Sequence, residues 1–368
     1  MKPLVTIITP SYNQGRFIRE TIESVLNQDY ENIEYIIVDG QSTDETLEII
    51  KQYNGKLSYI SEKDNGQSDA INKGFKMAHG EIVAWLNSDD VYEPGCIKRA
   101  VREFEKNSRL GLIYGDGYIL DEQGCKIRVF ENTQEFDFWK LVNFWDYIMQ
   151  PTTFFRKEFL EKVGYLDVKL NYCMDWDLWI KLASVSEVKY VPELLACSRE
   201  YALTKTSTGG EERLEELSKL LRKYSGKQMP LGIRSYKAST FYTKHQNDIW
   251  PIKKIAGWYL TWKHNRLLKQ IPEKYKDGWM RKKYEFCIPG YYQQLVIEIQ
   301  EVLPPDLKKI KIGIDDEEAV TYSINNRKIV LPLSNERNLH TVLIQADKVR
   351  KIGNGDSRKV SVRLKDSY

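Results

Sequence analysis

Four short apolar runs fall within the first ninety residues, each parted from the next by a stretch whose apolar residues recur at helical spacing. The runs at 5–9, 33–38, 57–60 and 82–86 predict strands. Helices over 17–27, 44–50 and 68–77 alternate with them, the first showing Ile18, Ile22, Val25 and Leu26 on one face. Asp44 suits the cap of the second helix, and Pro94 opens a further helix at its favoured first-turn position. A chain that alternates in this way folds into a parallel sheet with right-handed crossovers. Ligands of such sheets bind beyond the carboxyl ends of the strands. Thr9-Pro10-Ser11-Tyr12, Asp39-Gly40 and Asn87-Ser88-Asp89-Asp90 each follow a strand, so they converge on one crevice.

The last of these segments carries the clearest chemistry. Trp85-Leu86 runs directly into the adjacent carboxylates Asp89 and Asp90, which repel unless a cation lies beside them. A divalent metal holding a diphosphate accounts for that arrangement; an Asp-Asp turn capping the next helix is the plainer alternative.

After residue 110 the alternation loosens. Strands are expected over 112–114 and 117–129, the latter turning at Gln123-Gly124, and over 188–191, stopped by Pro192. Helices are expected over 157–163, 175–183 and 211–224. From 291 onward short alternating runs separated by polar turns, the last over 359–364 after Gly355-Asp356-Ser357, read as a small antiparallel β domain. Three regions follow: a catalytic-type α/β domain over 1–230, an aromatic and basic, partly helical linker over 231–290, and a β-sandwich-like domain over 291–368.

A net charge of +3 is too small to make nucleic acid the partner. The charge is uneven, since 235–290 hold twelve Lys or Arg against four Asp or Glu. Trp250, Trp258, Trp262 and Trp279 stand among those cations, which suits either peripheral contact with an anionic membrane or simple packing. Five scattered cysteines form no disulfide framework and no zinc pattern. The opening run is shorter than a signal peptide requires, and no window reaches eighteen apolar residues. The expected location is cytoplasmic, with peripheral attachment at the inner face of the membrane as an option.

Four strings recur here in order. Thr6-Ile7-Ile8-Thr9-Pro10-Ser11-Tyr12-Asn13, Val38-Asp39-Gly40-Gln41-Ser42-Thr43-Asp44, Gly66-Gln67-Ser68-Asp69-Ala70 and Asn87-Ser88-Asp89-Asp90 together resemble the family-2 glycosyltransferases. The likeness extends over 4–206. It implies a GT-A fold, Rossmann-like and mostly parallel, acting on a nucleotide-sugar donor with Mn2+ or Mg2+. In that resemblance Pro10 and Tyr12 line the nucleotide site, where the Tyr12 ring can stack on a base or stay an ordinary loop tyrosine. Asp39 accepts from base or ribose, and Asp64, Gln67 and Asp69 line the donor pocket. Asp90 is implied as the metal ligand, with Asp89 on the ribose or a metal-bound water. Asn87 stands where some relatives carry a further Asp.

The second half continues the likeness. Met174-Asp175-Trp176-Asp177 resembles the segment that supplies the general base, and with Met174 in the place of a Glu the implied base is Asp175. Asp177 lies about 200° around the helix and does not share that role. Trp176 and Trp179 fit either the core or an acceptor site. Ser198-Arg199-Glu200-Tyr201, with Lys205 after it, resembles a closing motif in which Tyr201 replaces a histidine; Arg199 and Lys205 are implied as mobile cations for the diphosphate.

The implied activity is inverting transfer of a sugar, from a UDP-sugar by preference, to a glycan or lipid-linked acceptor in surface polysaccharide assembly. Two rivals share the layout. A sugar-phosphate nucleotidyltransferase needs an Arg-containing Gly-rich loop after the first strand, which 10–15 lack. A non-catalytic carbohydrate-binding protein has no need of Asp89, Asp90 and Asp175.

Overall fold

A computed structural model describes every residue except Met1, Leu203, Glu273, Lys276, Asp316, Asn354, Gly355 and Tyr368. Gly355, just before the last of the expected β runs, therefore lies outside the described residues. The chain divides into two compact units, Met1–Ile249 and Trp250–Tyr368.

In the first unit, β1 (Val5–Ser11), α1 (Ile18–Leu26), β2 (Ile33–Asp39), α2 (Thr46–Lys51), β3 (Ser58–Ser61), α3 (Gln67–Met77) and β4 (Ile82–Trp85) follow the expected alternation. They continue through β5 (Val91–Tyr92), α4 (Cys96–Lys106), β6 (Leu110–Leu120), β7 (Lys126–Val129), α5 (Phe138–Asn143) and β8 (Phe154–Arg156). Then come α6 (Lys157–Val163), α7 (Met174–Ala183), β9 (Glu187–Arg199), α8 (Lys205–Thr208), α9 (Gly210–Ser225) and α10 (Leu231–His245). The sheet order is β3-β2-β1-β4-β8-β6-β9-β5, with β7 paired to β6. Its β3-β2-β1-β4 half is parallel, as the alternation dictates, whereas β8 runs antiparallel to both β4 and β6. Parallel pairing sets Ser11 beside Asp39 and Asp39 beside Ser61, so three strand tips end level.

One expectation is corrected. Pro192 does not stop its strand; β9 continues to Arg199. The ladder with β6 jumps there from Gly115–Val191 to Asp116–Leu194, leaving Pro192 in an irregularity where its missing N–H costs no ladder bond. This continuation carries Arg199 to the site.

An aromatic block fixes β4 against α7. Trp85 stacks on Trp179 with ring centroids 5.4 Å apart, and Phe75 and Phe155 meet the Trp85 ring edge-on. Both tryptophans are fully buried. Trp176 is buried as well and donates its indole N–H to the Leu141 carbonyl at 2.8 Å, so both tryptophans of α7 belong to the core.

The second unit opens with α11 (Trp250–Leu268) and continues with β10 (Lys283–Pro289), β11 (Gln294–Val302), β12 (Lys309–Ile314), β13 (Val320–Ser323), β14 (Lys328–Pro332) and β15 (Leu339–Ala346). It ends with β16 (Arg350–Gly353), β17 (Asp356–Val360) and β18 (Val362–Ser367). A four-stranded sheet β10-β15-β12-β13 and a three-stranded sheet β14-β11-β18 contribute side chains to one core, which makes a small antiparallel sandwich. Ile297 and Ile299 from one sheet and Ile310, Ile312 and Ile344 from the other meet there.

Trp179→Ala removes the ring that spans β4 and α7. It is expected to cost about 3–5 kcal/mol in chemical denaturation followed by circular dichroism.

Candidate functional site

The loops after β1 and β2 are laced together. Asn13 and Gln41 take left-handed backbone (φ 52° and 65°), which non-glycine residues adopt only when neighbours hold them. The Asn13 amide N–H donates to Ser42 Oγ at 2.8 Å, and Asn13 Oδ1 accepts from the Thr43 N–H at 2.8 Å. Asp39 is wholly buried and accepts from the Ser42 N–H at 3.0 Å and the Ser61 hydroxyl at 2.6 Å, so it braces these loops from below. Asp44 accepts from the Gly15 N–H at 3.0 Å as well as capping its own helix turn.

Above this floor stands a small cradle. Any Cβ on Gly40 would fall 2.5 Å from Asp64 Oδ2 and 3.4 Å from the Tyr12 ring, so those side chains close on the glycine from two sides. Tyr12 is 61% exposed, a large ring presented to solvent beside the glycine. Pro10 is buried within β1 opposite Val38 and sets the strand's exit. Asp64 accepts from the Gly66 N–H at 2.9 Å. Asp69 holds the same loop by accepting from the Asn65 N–H at 3.0 Å and lies 3.7 Å from the Lys73 ammonium.

The two acids beyond β4 differ in access. Asp90 is 3% exposed; its Oδ1 accepts from the Arg199 backbone N–H at 2.9 Å and its Oδ2 from the Asn87 amide at 3.2 Å. Burial and the neighbouring Asp89 charge push its pKa up to about 8. Asp89 is only half-buried, and its Oδ2 accepts from the Tyr201 hydroxyl at 3.0 Å. Burial raises its pKa too. Tyr201, the residue that replaces a histidine, thus binds the acid directly while its ring packs 5.2 Å from Phe17.

Arg199 departs from the expected mobile cation. It is 3% exposed, and its guanidinium donates to the Asp89 carbonyl at 2.9 Å, to the Asp121 and Glu122 carbonyls at 3.3 Å and to Glu20 at 2.6 Å. It also lies 4.7 Å over the Phe17 ring. A cation so committed positions the two acids instead of reaching for a diphosphate.

Asp175 opens α7, and its Oδ1 accepts from the Trp176 N–H at 2.8 Å. Burial raises its pKa, while the Arg213 guanidinium pulls it down and Glu216 pushes it up. Asp146, unremarked in the sequence, shares this pocket: burial and the Asp175 charge hold its proton well above the usual carboxylate range. Glu216 accepts from the backbone N–H groups of Asn171, Tyr172 and Cys173 at 2.8, 2.7 and 2.7 Å, capping the approach to α7 from α9. Lys205 is exposed, donates to Asn171 Oδ1 at 2.9 Å, and lies close enough to Glu216 and Asp175 to feel both charges. Asp177 is spent on Lys223 at 3.1 Å and Tyr224 at 2.6 Å.

The start of α3 joins the two acid groups. Gln67 donates to Asn87 Oδ1 at 2.8 Å, and Asn87 donates in turn to Asp90 and, at 3.0 Å, to Gln150. On the next residue, the Ser68 hydroxyl lies 2.7 Å from Met174 Sδ, beside Asp175.

The chain is 33% identical over 240 residues to an uncharacterized glycosyltransferase of Rickettsia prowazekii, covering 62% of this chain and 74% of that one. The family model for glycosyl transferase family 2 matches residues 6–164. The chain belongs to glycosyltransferase family 2. This family-2 glycosyltransferase has the expected GT-A α/β sheet, and over 195 residues it is 28% identical to the chondroitin synthase of Escherichia coli, covering 52% of this chain and 28% of that one. Among solved structures it is similar to S. aureus TarS in complex with UDP-GlcNAc (TM-score 0.49, 18% identity, 72% of this chain and 73% of that one). It is also similar to the Pyrobaculum calidifontis mannosyltransferase in complex with GDP-Man and Mn2+ (TM-score 0.48, 17% identity, 73% and 75% of the two chains).

Arg199→Ala removes a buried guanidinium that donates to the Asp89, Asp121 and Glu122 carbonyls and to Glu20. It is expected to lower stability by roughly 3 kcal/mol in urea unfolding, whereas removal of a mobile surface cation would leave the midpoint unchanged.

Proposed function

We propose that this glycosyltransferase moves a sugar, with inversion, from a nucleotide-diphosphate donor to a hydroxyl of a glycan or lipid-linked acceptor in surface polysaccharide assembly, on the cytoplasmic side. A UDP-sugar is the preferred donor. The observation that supports this reading is that two desolvated acid groups, Asp89–Asp90 and Asp175, have neighbours, Asn87 and Met174, that both contact the first turn of α3.

The donor set fits a divalent ion that completes its shell with phosphate oxygens. It offers adjacent repelling carboxylates and, among the described residues, no cluster of three metal-binding side chains. Asp89, being half-buried, is the ligand proposed for Mn2+ or Mg2+, in place of the Asp90 implied by sequence; Asp90, sealed by Asn87 and Arg199, orients it. A bound ion of this kind supplies Lewis-acid stabilisation to the departing diphosphate. Tyr12, Gly40 and Asp64 shape the base and ribose end above Asp39, and Gln67 holds Asn87 at the diphosphate end. With Arg199 committed, Lys205 is the exposed cation left for the phosphates.

Asp175 takes the proton from the acceptor hydroxyl as its oxygen attacks the anomeric carbon, and the bond from that carbon to the diphosphate oxygen breaks on the opposite side. A carboxylate whose proton affinity is raised by burial is the stronger base for this step. Burial and the Asp175 charge raise the proton affinity of Asp146 beside it.

Incubation with a panel of nucleotide sugars and Mn2+ should release nucleoside diphosphate slowly and donor-selectively. Asp89→Asn is expected to weaken Mn2+ binding at least tenfold by electron paramagnetic resonance and to abolish release; undiminished turnover would defeat the assignment. Asp175→Asn should lower kcat for transfer by roughly 100-fold or more while donor affinity holds. Arg213 keeps the Asp175 proton more acidic, so Arg213→Gln should move the acid limb of kcat/KM to higher pH.

A further inference from the structure

Helix α11 presents a face that the second unit leaves uncovered. Ala256 and Leu267 are buried on one side. On another, Ile255, Trp258 and Trp262 fall at helical spacing and are 65%, 67% and 41% exposed; Trp250, at the helix start, is 70% exposed. Trp258 and Trp262 stack on each other at 6.2 Å, forming one continuous aromatic strip. Large side chains grouped this way on a water-facing helix mark a contact surface.

The charges around the strip have one sign. From Ile249 to Pro272 the sequence holds no Asp or Glu, against Lys253, Lys254, Lys263, Arg266 and Lys269. The Lys254 ammonium sits 4.8 Å over the Trp250 ring and the Arg266 guanidinium 5.3 Å over the Trp262 ring, so cations edge the aromatics. Among the described residues no helix is long and apolar enough to cross a membrane. A second copy of the same face would bring like charges together, which disfavours self-association through it.

We infer that α11 lies in the interface of an anionic lipid bilayer, with Ile255, Trp258 and Trp262 entering the acyl boundary and the flanking lysines and Arg266 meeting lipid phosphates. Tryptophan suits that depth because its ring is apolar and its N–H needs a polar partner. Hydrophobic contact and charge act together, as stable peripheral binding requires. This surface is independent of the donor chemistry of the first unit, and its test needs no nucleotide sugar.

The full chain is sedimented with vesicles of phosphatidylcholine alone or mixed with phosphatidylglycerol. It is expected to bind the anionic vesicles and to release as salt rises. Trp258→Glu with Trp262→Glu should weaken binding by roughly tenfold or more. Lys253→Glu with Lys254→Glu should weaken binding to anionic vesicles with the aromatic strip intact; this pair decides the matter if the tryptophan variant loses its circular dichroism. No binding, equal binding to both vesicle types, or binding indifferent to either variant overturns the inference. So does self-association of the wild-type chain that the tryptophan variant abolishes in analytical ultracentrifugation, since the strip is then a subunit contact.

Discussion

The stack of Trp85 on Trp179 is the joint on which the site depends. Asp89 and Asp90 lie a few residues beyond the first ring, and Asp175 one helical turn before the second. A strand and a helix from distant parts of the chain, each leading to or carrying these acids, are thereby held together. Neither buried indole N–H finds a hydrogen-bond partner, a cost of desolvation that the packing of four aromatic rings outweighs.

Around that joint the polar groups form a scaffold in layers. Asp39 fastens the loops of β1 and β2, Arg199 fastens the turn of Asp89 and Asp90, and Glu216 fastens the approach to α7. Arg199 and Glu216 bond mostly to backbone groups and so fix the course of the chain itself, whereas Asp39 joins one amide to two serine hydroxyls. Among the acids of this region, Asp89 and Asp175 stay partly exposed while Asp39 and Asp90 are buried.

The parallel half of the sheet was plain in the sequence, because strand and helix periods alternate there without ambiguity, and the strand-tip motifs could be placed from it. That Asp175 stands in the first turn of a helix was legible from the residues around it. Arg199 was legible as a residue but not as a role: its contacts with Glu20 and Asp89 arise only when β9 runs past Pro192, and a proline in a strand argues against that continuation. Asp146 and Glu216 gave no local signal at all. Their effect on Asp175 comes from segments far away in sequence, and an acid between aromatics or on a charged helix reads as ordinary surface.

That the start of α7 is tied from α9 gives the domain a built-in order of assembly. Three consecutive amides wait on a single carboxylate some forty residues downstream, so the segment carrying Asp175 takes its final path only once α9 has docked. The course of that segment is therefore anchored from outside the parallel sheet, by a helix that follows it in the chain.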